Sequence, residues 1–261
     1  MELHFDYKMK LNYSLPVTKC FFTIKGMPKE DSRQHLLRHT IEINPRVSYM
    51  EGKDAFGNHK IYGNIQEVHQ SFFYHIEGDV EIRSIAYEEK AEQTALYKVF
   101  YGKCRMGSTL KHYANCLKVD ESLNDYEKAC FLMNKLYAIF QYCPSTTAIE
   151  TNAEEAWQQG MGVCQDYAHI FITLLRFYGI PARYVCGFLI GEGASHAWVE
   201  ACIDGYWVGF DPTNNCLVKE EHIKIGHGRD ASDCEINRGI MYGGGQQEQE
   251  VSVFVYARGR V

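Results

Sequence analysis

The chain has 261 residues, 46% of them apolar, enough for one large domain or two small ones with a real core. Its 27 Lys and Arg stand against 33 Asp and Glu, a net charge of −6, which argues against nucleic acid or anionic lipid as the main partner, because both need clustered positive charge. No uninterrupted apolar run approaches the ~18 residues of a membrane helix, and Met1-Glu2-Leu3-His4-Phe5-Asp6 is not a signal peptide. The expectation is a soluble cytoplasmic protein with no membrane partner.

Residues 1–85 read as β. Leu36 to Ile43 and Phe72 to Ile76 are rich in β-branched and aromatic residues, and turn signals at Gly26-Met27-Pro28, Asn44-Pro45, Gly57-Asn58 and Gly78-Asp79 divide such runs. Near Ala86 the chain becomes charged and helix-favouring. Asn124-Asp125 starts a helix through Ala129, Leu132, Met133, Leu136 and Phe140, and Thr151-x-x-Glu154 reads as a capping box opening a short helix with Trp157. A third helix begins at Cys164, buries Phe171, Leu174 and Leu175, and ends at Gly179-Ile180-Pro181. Ala182–Ile190 follows as a strand and 191–195 as a loop. A hairpin comes next, with arms His196–Ile203 and Tyr206–Asp211 about the two-residue turn Asp204-Gly205. A long polar, Gly-rich stretch (loop 219–245) precedes a last strand, Val251–Tyr256.

The ten cysteines include no C-x-x-C pair, so neither a zinc ribbon nor a thioredoxin-type motif is present, and most read as small buried hydrophobes. Cys164 differs. Gly160-x-Gly162 lets the backbone turn tightly into a helix whose first residue is the cysteine. Free N–H groups at such an end favour a thiolate and can pull its pKa below the usual ~8.5. The hairpin supplies partners. With Asp204-Gly205 as the turn, Ile203 faces Tyr206 and Trp198 faces Asp211, so His196 lies on the same sheet face as Asp211 and within reach of an imidazole–carboxylate bond. Candidate thiolate, base and orienting carboxylate are the parts of an activated nucleophile. The Cys164 N–H is a natural oxyanion donor, with Gln165 and Trp157 as further candidates and Trp198 as a candidate lining of the substrate groove.

Gly162-Val163-Cys164-Gln165-Asp166-Tyr167, His196-Ala197-Trp198-Val199-Glu200 and Trp207 through Asp211-Pro212-Thr213 resemble the three motif blocks of the transglutaminase-like superfamily, in the order Cys, His, Asp. The first 85 residues, with Tyr13-Ser14-Leu15-Pro16-Val17 and Asp54-Ala55-Phe56-Gly57-Asn58, look like the β-rich N-terminal domain that precedes this core in many bacterial members. The resemblance implies an α+β protein: a papain-like core, residues 86–261, whose Cys-bearing helix packs on an antiparallel sheet bearing His and Asp, after a small all-β domain, residues 1–85. It implies cysteine-dependent acyl chemistry through a thioester, with Cys164 as nucleophile, His196 as base and Asp211 as orienter.

The remaining polar residues have plainer readings. His169 lies five residues along the cysteine helix and is structural, Glu200 is an exposed strand residue, and His222 and His227 fall in a Gly-containing loop. No cofactor, metal or calcium loop is expected. The expected activity is a cysteine protease or amidase acting on peptide or protein substrates. Transglutaminase-type transfer to amines is the first alternative, and a catalytically inactive binding or scaffold module the second.

Overall fold

The computed structural model describes residues 1–83 and 89–259, so the expected domain boundary at residue 85, with the change of character near Ala86, lies outside the described residues. The N-terminal part consists of β1 (Glu2–Ile24), β2 (Gln34–Asn44), β3 (Tyr49–Lys53), β4 (His59–Ile65) and β5 (His69–Ile82). The long first strand is the spine of an eight-stranded sheet. Leu3, Phe5, Tyr7, Met9, Leu11 and Tyr13 alternate inward with the period of two of a one-faced strand. Its register then shifts around the exposed Ser14-Leu15-Pro16, where the strand changes partners.

Helices and short strands follow: α1 (Ser108–Cys116), α2 (Asp125–Ile139), β6 (Gln141–Tyr142), α3 (Ala153–Gln159), β7 (Met161–Gly162) and α4 (Cys164–Phe177). The next strands are β8 (Ala182–Leu189), β9 (Gly191–Gly193), β10 (His196–Ile203), β11 (Tyr206–Asp211), β12 (Cys216–Leu217) and β13 (His222–Gly228). The chain closes with β14 (Asn237–Gly243) and β15 (Gln247–Ala257). A five-stranded antiparallel sheet in the order β12-β11-β10-β8-β13 carries α4, while β14, β15 and β9 join the N-terminal sheet. The α+β, papain-like architecture expected from the sequence is the one observed, with an extra exchange: the C-terminal strands return to pair with β1.

Two cores result. One holds α4 with Ala197, Val199, Ala201 and Phe210 of the hairpin. The other fills the N-terminal sheet and extends into the five-stranded sheet through Phe188, Ile223 and Ile225, with the Phe188 ring 5.2 Å from that of Tyr7. Two buried carboxamides join the sheets. Gln34 donates to the Lys224 carbonyl (2.6 Å) and accepts its N–H (2.8 Å), and Asn58 does the same for His227 (2.8 and 2.9 Å). Each mimics a peptide group along the edge of β13. No described helix is long and apolar enough to cross a membrane.

Several local expectations need correction. Gly78-Asp79 is not a turn but lies inside β5, where a Cβ at Gly78 would stand 2.3 Å from the Arg38 carbonyl, so the glycine serves close strand approach. Residues 191–195 include β9, because Gly191–Gly193 pair with Val253–Val255. Loop 219–245 contains β13 and β14. The capping box of α3 sits one residue later, at Asn152 and Glu155. Glu154 instead caps a neighbour: its carboxylate accepts from the N–H groups of Thr109 and Leu110 in the first turn of α1.

Candidate active site

Gly162 and Asp166 set the entry to α4. The Asp166 carboxylate accepts the Val163 N–H (2.8 Å) and the Thr147 hydroxyl (2.6 Å), and a Cβ on Gly162 would sit 2.5 Å from its Oδ2. The turn therefore closes only around a residue without a side chain. Cys164 follows as the first helical residue, half-buried, where a helix leaves N–H groups without carbonyl partners. Gln165 donates its amide to the Ile149 carbonyl at 3.1 Å, and Trp157 on α3 stacks on Tyr113 with ring centroids 4.4 Å apart. These two candidates thus have partners of their own.

The hairpin has the register expected of its turn, with Ile203 opposite Tyr206 and Val199 opposite Phe210. His196 Nε2 meets Asp211 Oδ2 at 2.7 Å, and the Cys164 side chain is near enough to act on the ring's titration. Cys164, His196 and Asp211 thus come together at one place. Burial pulls the His196 pKa down, but the hydrogen bonds to Asp211 and to Cys164, and the charges of both, outweigh it and push it up to about 10. Burial likewise pushes Asp211 up, yet hydrogen bonds from His196, His222 and Asn214 hold it well below the usual carboxylate range.

Asp211 is saturated with donors. Its Oδ1 takes the N–H groups of Thr213 (3.1 Å) and Asn214 (3.2 Å), an Asx turn of the Asp-Pro-Thr-Asn run. Its Oδ2 takes His196, the Asn214 side-chain amide (2.7 Å) and His222 Nε2 (3.3 Å). His222 is thus not in a loop: it opens β13 and is buried. Sequence reasoning missed it because its partner lies on another strand. The one available signal was its place beside Ile223 and Ile225, which alternate as on a strand.

His196, Asp211 and His222 bring three potential ligand atoms within 4.8 Å of one another, the donor types of a transition-metal set. The tautomer opposes that use. The Lys219 N–H, which can only donate, points at His222 Nδ1 at 3.3 Å, so the ring proton sits on Nε2, facing Asp211.

Trp198 is fully buried and packs edge-on against His222, with centroids 5.3 Å apart, so it forms the wall behind the site. His169 is also buried, accepts the Ala231 N–H at 3.2 Å and is pulled by burial to about 3, a neutral structural imidazole as expected. Glu200 departs from expectation. It is not exposed but bonds Arg183 (2.6 Å) and Lys224 (2.8 Å) beneath the N-terminal lobe, with the Arg183 guanidinium 4.3 Å above the Trp207 ring.

Comparison with known proteins places these features. Residues 3–81 match the bacterial transglutaminase-like N-terminal region, and residues 111–212 match the transglutaminase-like superfamily. An uncharacterized protein of Mycobacterium leprae is 41% identical over 122 residues, an alignment covering 43% of this chain and 43% of that protein, so under half of either. An uncharacterized protein of Mycobacterium bovis is 26% identical over 270 residues, covering 90% of this chain and 86% of that one. Among solved structures, a candidate cysteine protease from Cytophaga hutchinsonii superposes with a TM-score of 0.83 at 20% identity, over 100% of this chain and 92% of that one, which shows a shared fold.

Proposed function

We infer that this chain, which belongs to the transglutaminase-like superfamily, is a cysteine-dependent hydrolase that cleaves amide bonds of peptides or proteins through a thioester. The observation that carries the reading is the row Cys164–His196–Asp211, with His196 pushed up to about 10 between a sulfur and a buried carboxylate.

That arrangement supports a charged imidazole beside the nucleophilic sulfur. The sulfur attacks the amide carbonyl carbon, and the oxyanion is received by N–H groups of the helix start, Cys164 first. The C–N bond then breaks as His196 gives its proton to the leaving amine, which leaves a thioester. Water attacks the thioester while His196 takes a proton from it, the C–S bond breaks, and the acid departs with Cys164 restored. Asp211 holds the ring in place throughout and stabilises its charge. All ten cysteines are unpaired, which supports a reducing compartment such as the cytoplasm.

The test is cleavage of a peptide library by the wild type and by Cys164→Ala. Loss of at least about a thousandfold is expected from removal of a nucleophile of this kind, and undiminished turnover would end the proposal. In the same assay an added primary amine should leave free acid as the product. Amine incorporation would instead identify an acyl transferase.

A further inference from the structure

We propose that His222 is a positioning residue of this site, an Nε2–H donor that holds the Asp211 carboxylate in the orientation His196 requires. The proposal rests on the reading of Cys164, His196 and Asp211 given above. Three of the five donors to Asp211 belong to the turn that follows it: the N–H groups of Thr213 and Asn214, and the Asn214 amide. They fix the carboxylate relative to its own loop. His222 arrives from β13, which two strands separate from β11 in the sheet. With His196 on β10 it ties Asp211 to the sheet itself.

The ring is built to do this and nothing else. The Lys219 N–H at 3.3 Å from Nδ1 settles the tautomer, and Nε2 stands 3.3 Å from Asp211 Oδ2. Trp198 packs against the ring at 5.3 Å, and the His196 ring lies 6.3 Å away. The hydrogen bond by which His222 reaches the site ends on Asp211, so its effect passes through that carboxylate. The groups that face Asp211 are His196 from β10, His222 from β13, Asn214 from its own turn and Cys216 from β12, its register partner.

The test needs no substrate. Iodoacetamide is applied to the full-length protein over a range of pH, and Cys164 alkylation is followed by peptide mass alongside thermal melting. His222→Gln keeps an N–H near the position of Nε2, whereas His222→Leu keeps bulk without a donor. The Gln variant is expected within about twofold of the wild type. The Leu variant should react about tenfold more slowly on the acid limb, which moves up by about one pH unit, the equivalent of one hydrogen bond to a charged group. The limb moves because Asp211, released from one of the contacts that aim it, no longer holds the His196 ring squarely against the sulfur.

Lys219→Pro provides a second variant, which keeps His222 in the chain and removes the N–H that orders its tautomer, together with the Lys219 side chain, for which Lys219→Ala is the control. It should slow alkylation in the same direction. A Leu variant as fast as the wild type, a Gln variant as slow as Leu, or an unaffected Lys219→Pro each overturns the proposal. Wild-type Cys164 that alkylates no faster than the other cysteines near neutral pH would overturn the triad reading and this proposal with it. That failure is visible in the wild type, whereas failure of the proposal alone is visible only in the variants.

Discussion

Replacing Glu200 by Gln keeps the side-chain volume and removes one charge from the buried cluster beside the five-stranded sheet. Arg183 and Lys224 both bond this carboxylate, at 2.6 and 2.8 Å, and are themselves buried. Burial pushes the Glu200 pKa up, but Arg183 and Lys224 more than reverse this and hold it at about 2 against an ordinary 4.5. A depression of that size corresponds to about 3 kcal/mol of stability at neutral pH, and breaking a buried ion pair by removing one partner independently costs about 3–5 kcal/mol. For a chain of this length, about 3 kcal/mol lowers Tm by roughly 6–12 °C. The sign follows from the depressed pKa: the contribution is complete above about 4.5 and fades as pH falls through about 2. Thermal or urea unfolding followed by circular dichroism at pH 7 and pH 3 tests this. The wild-type advantage over Glu200→Gln should shrink from about 3 to about 1 kcal/mol. A deficit that is equal at both pH values would show that the amide merely packs badly, and a deficit under about 1 kcal/mol at pH 7 would refute the electrostatic argument.

Two further expectations concern the site. Gly162→Ala drives a methyl group to 2.5 Å from Asp166 Oδ2, so the entry to α4 must shift. Stability should fall by about 1–3 kcal/mol, and Cys164 alkylation should slow with it; a variant that melts and reacts like the wild type would contradict the account of that turn. In a pH–rate profile of amide hydrolysis, the His196 imidazolium is present below about 10 and is lost as pH rises through that value, so the alkaline limb belongs there. Asp211→Asn removes the strongest support of that charge and should move the limb to lower pH; an unmoved limb assigns it to another group.

Local rules suffice for the His196–Asp211 contact because a tight turn sets it. Asp204-Gly205 dictates the hairpin register, and the register places His196 beside Asp211. Cys164 at a helix start follows from Gly162 with the same economy. What escaped the sequence is what distant segments decide. Leu3 to Tyr13 alternate cleanly and could have been read as a strand, but nothing local says that this strand would be the spine to which the chain returns at β14 and β15. Glu200, Arg183 and Lys224 are charged strand residues, which a local reading sends to solvent; the N-terminal lobe covers them and they satisfy one another. His222 was hidden for the same reason. The capping box moved by one residue because Asn152 and Glu155 form as good a box as Thr151 and Glu154, and Glu154 has a better use at α1.

Gln34 and Asn58, which stand in for peptide groups along β13, have a consequence for how the protein is divided. An open strand margin invites a neighbouring molecule to extend it, and natural sheets guard against this. Here the guard comes from residues far earlier in the chain. Cutting the polypeptide after residue 83 to isolate the half with Cys164 would uncover that margin and strip β14 and β15 of the partner they pair with. The half with Cys164 is therefore no detachable cassette: the first eighty residues supply both its covered margin and the partner of its last strands.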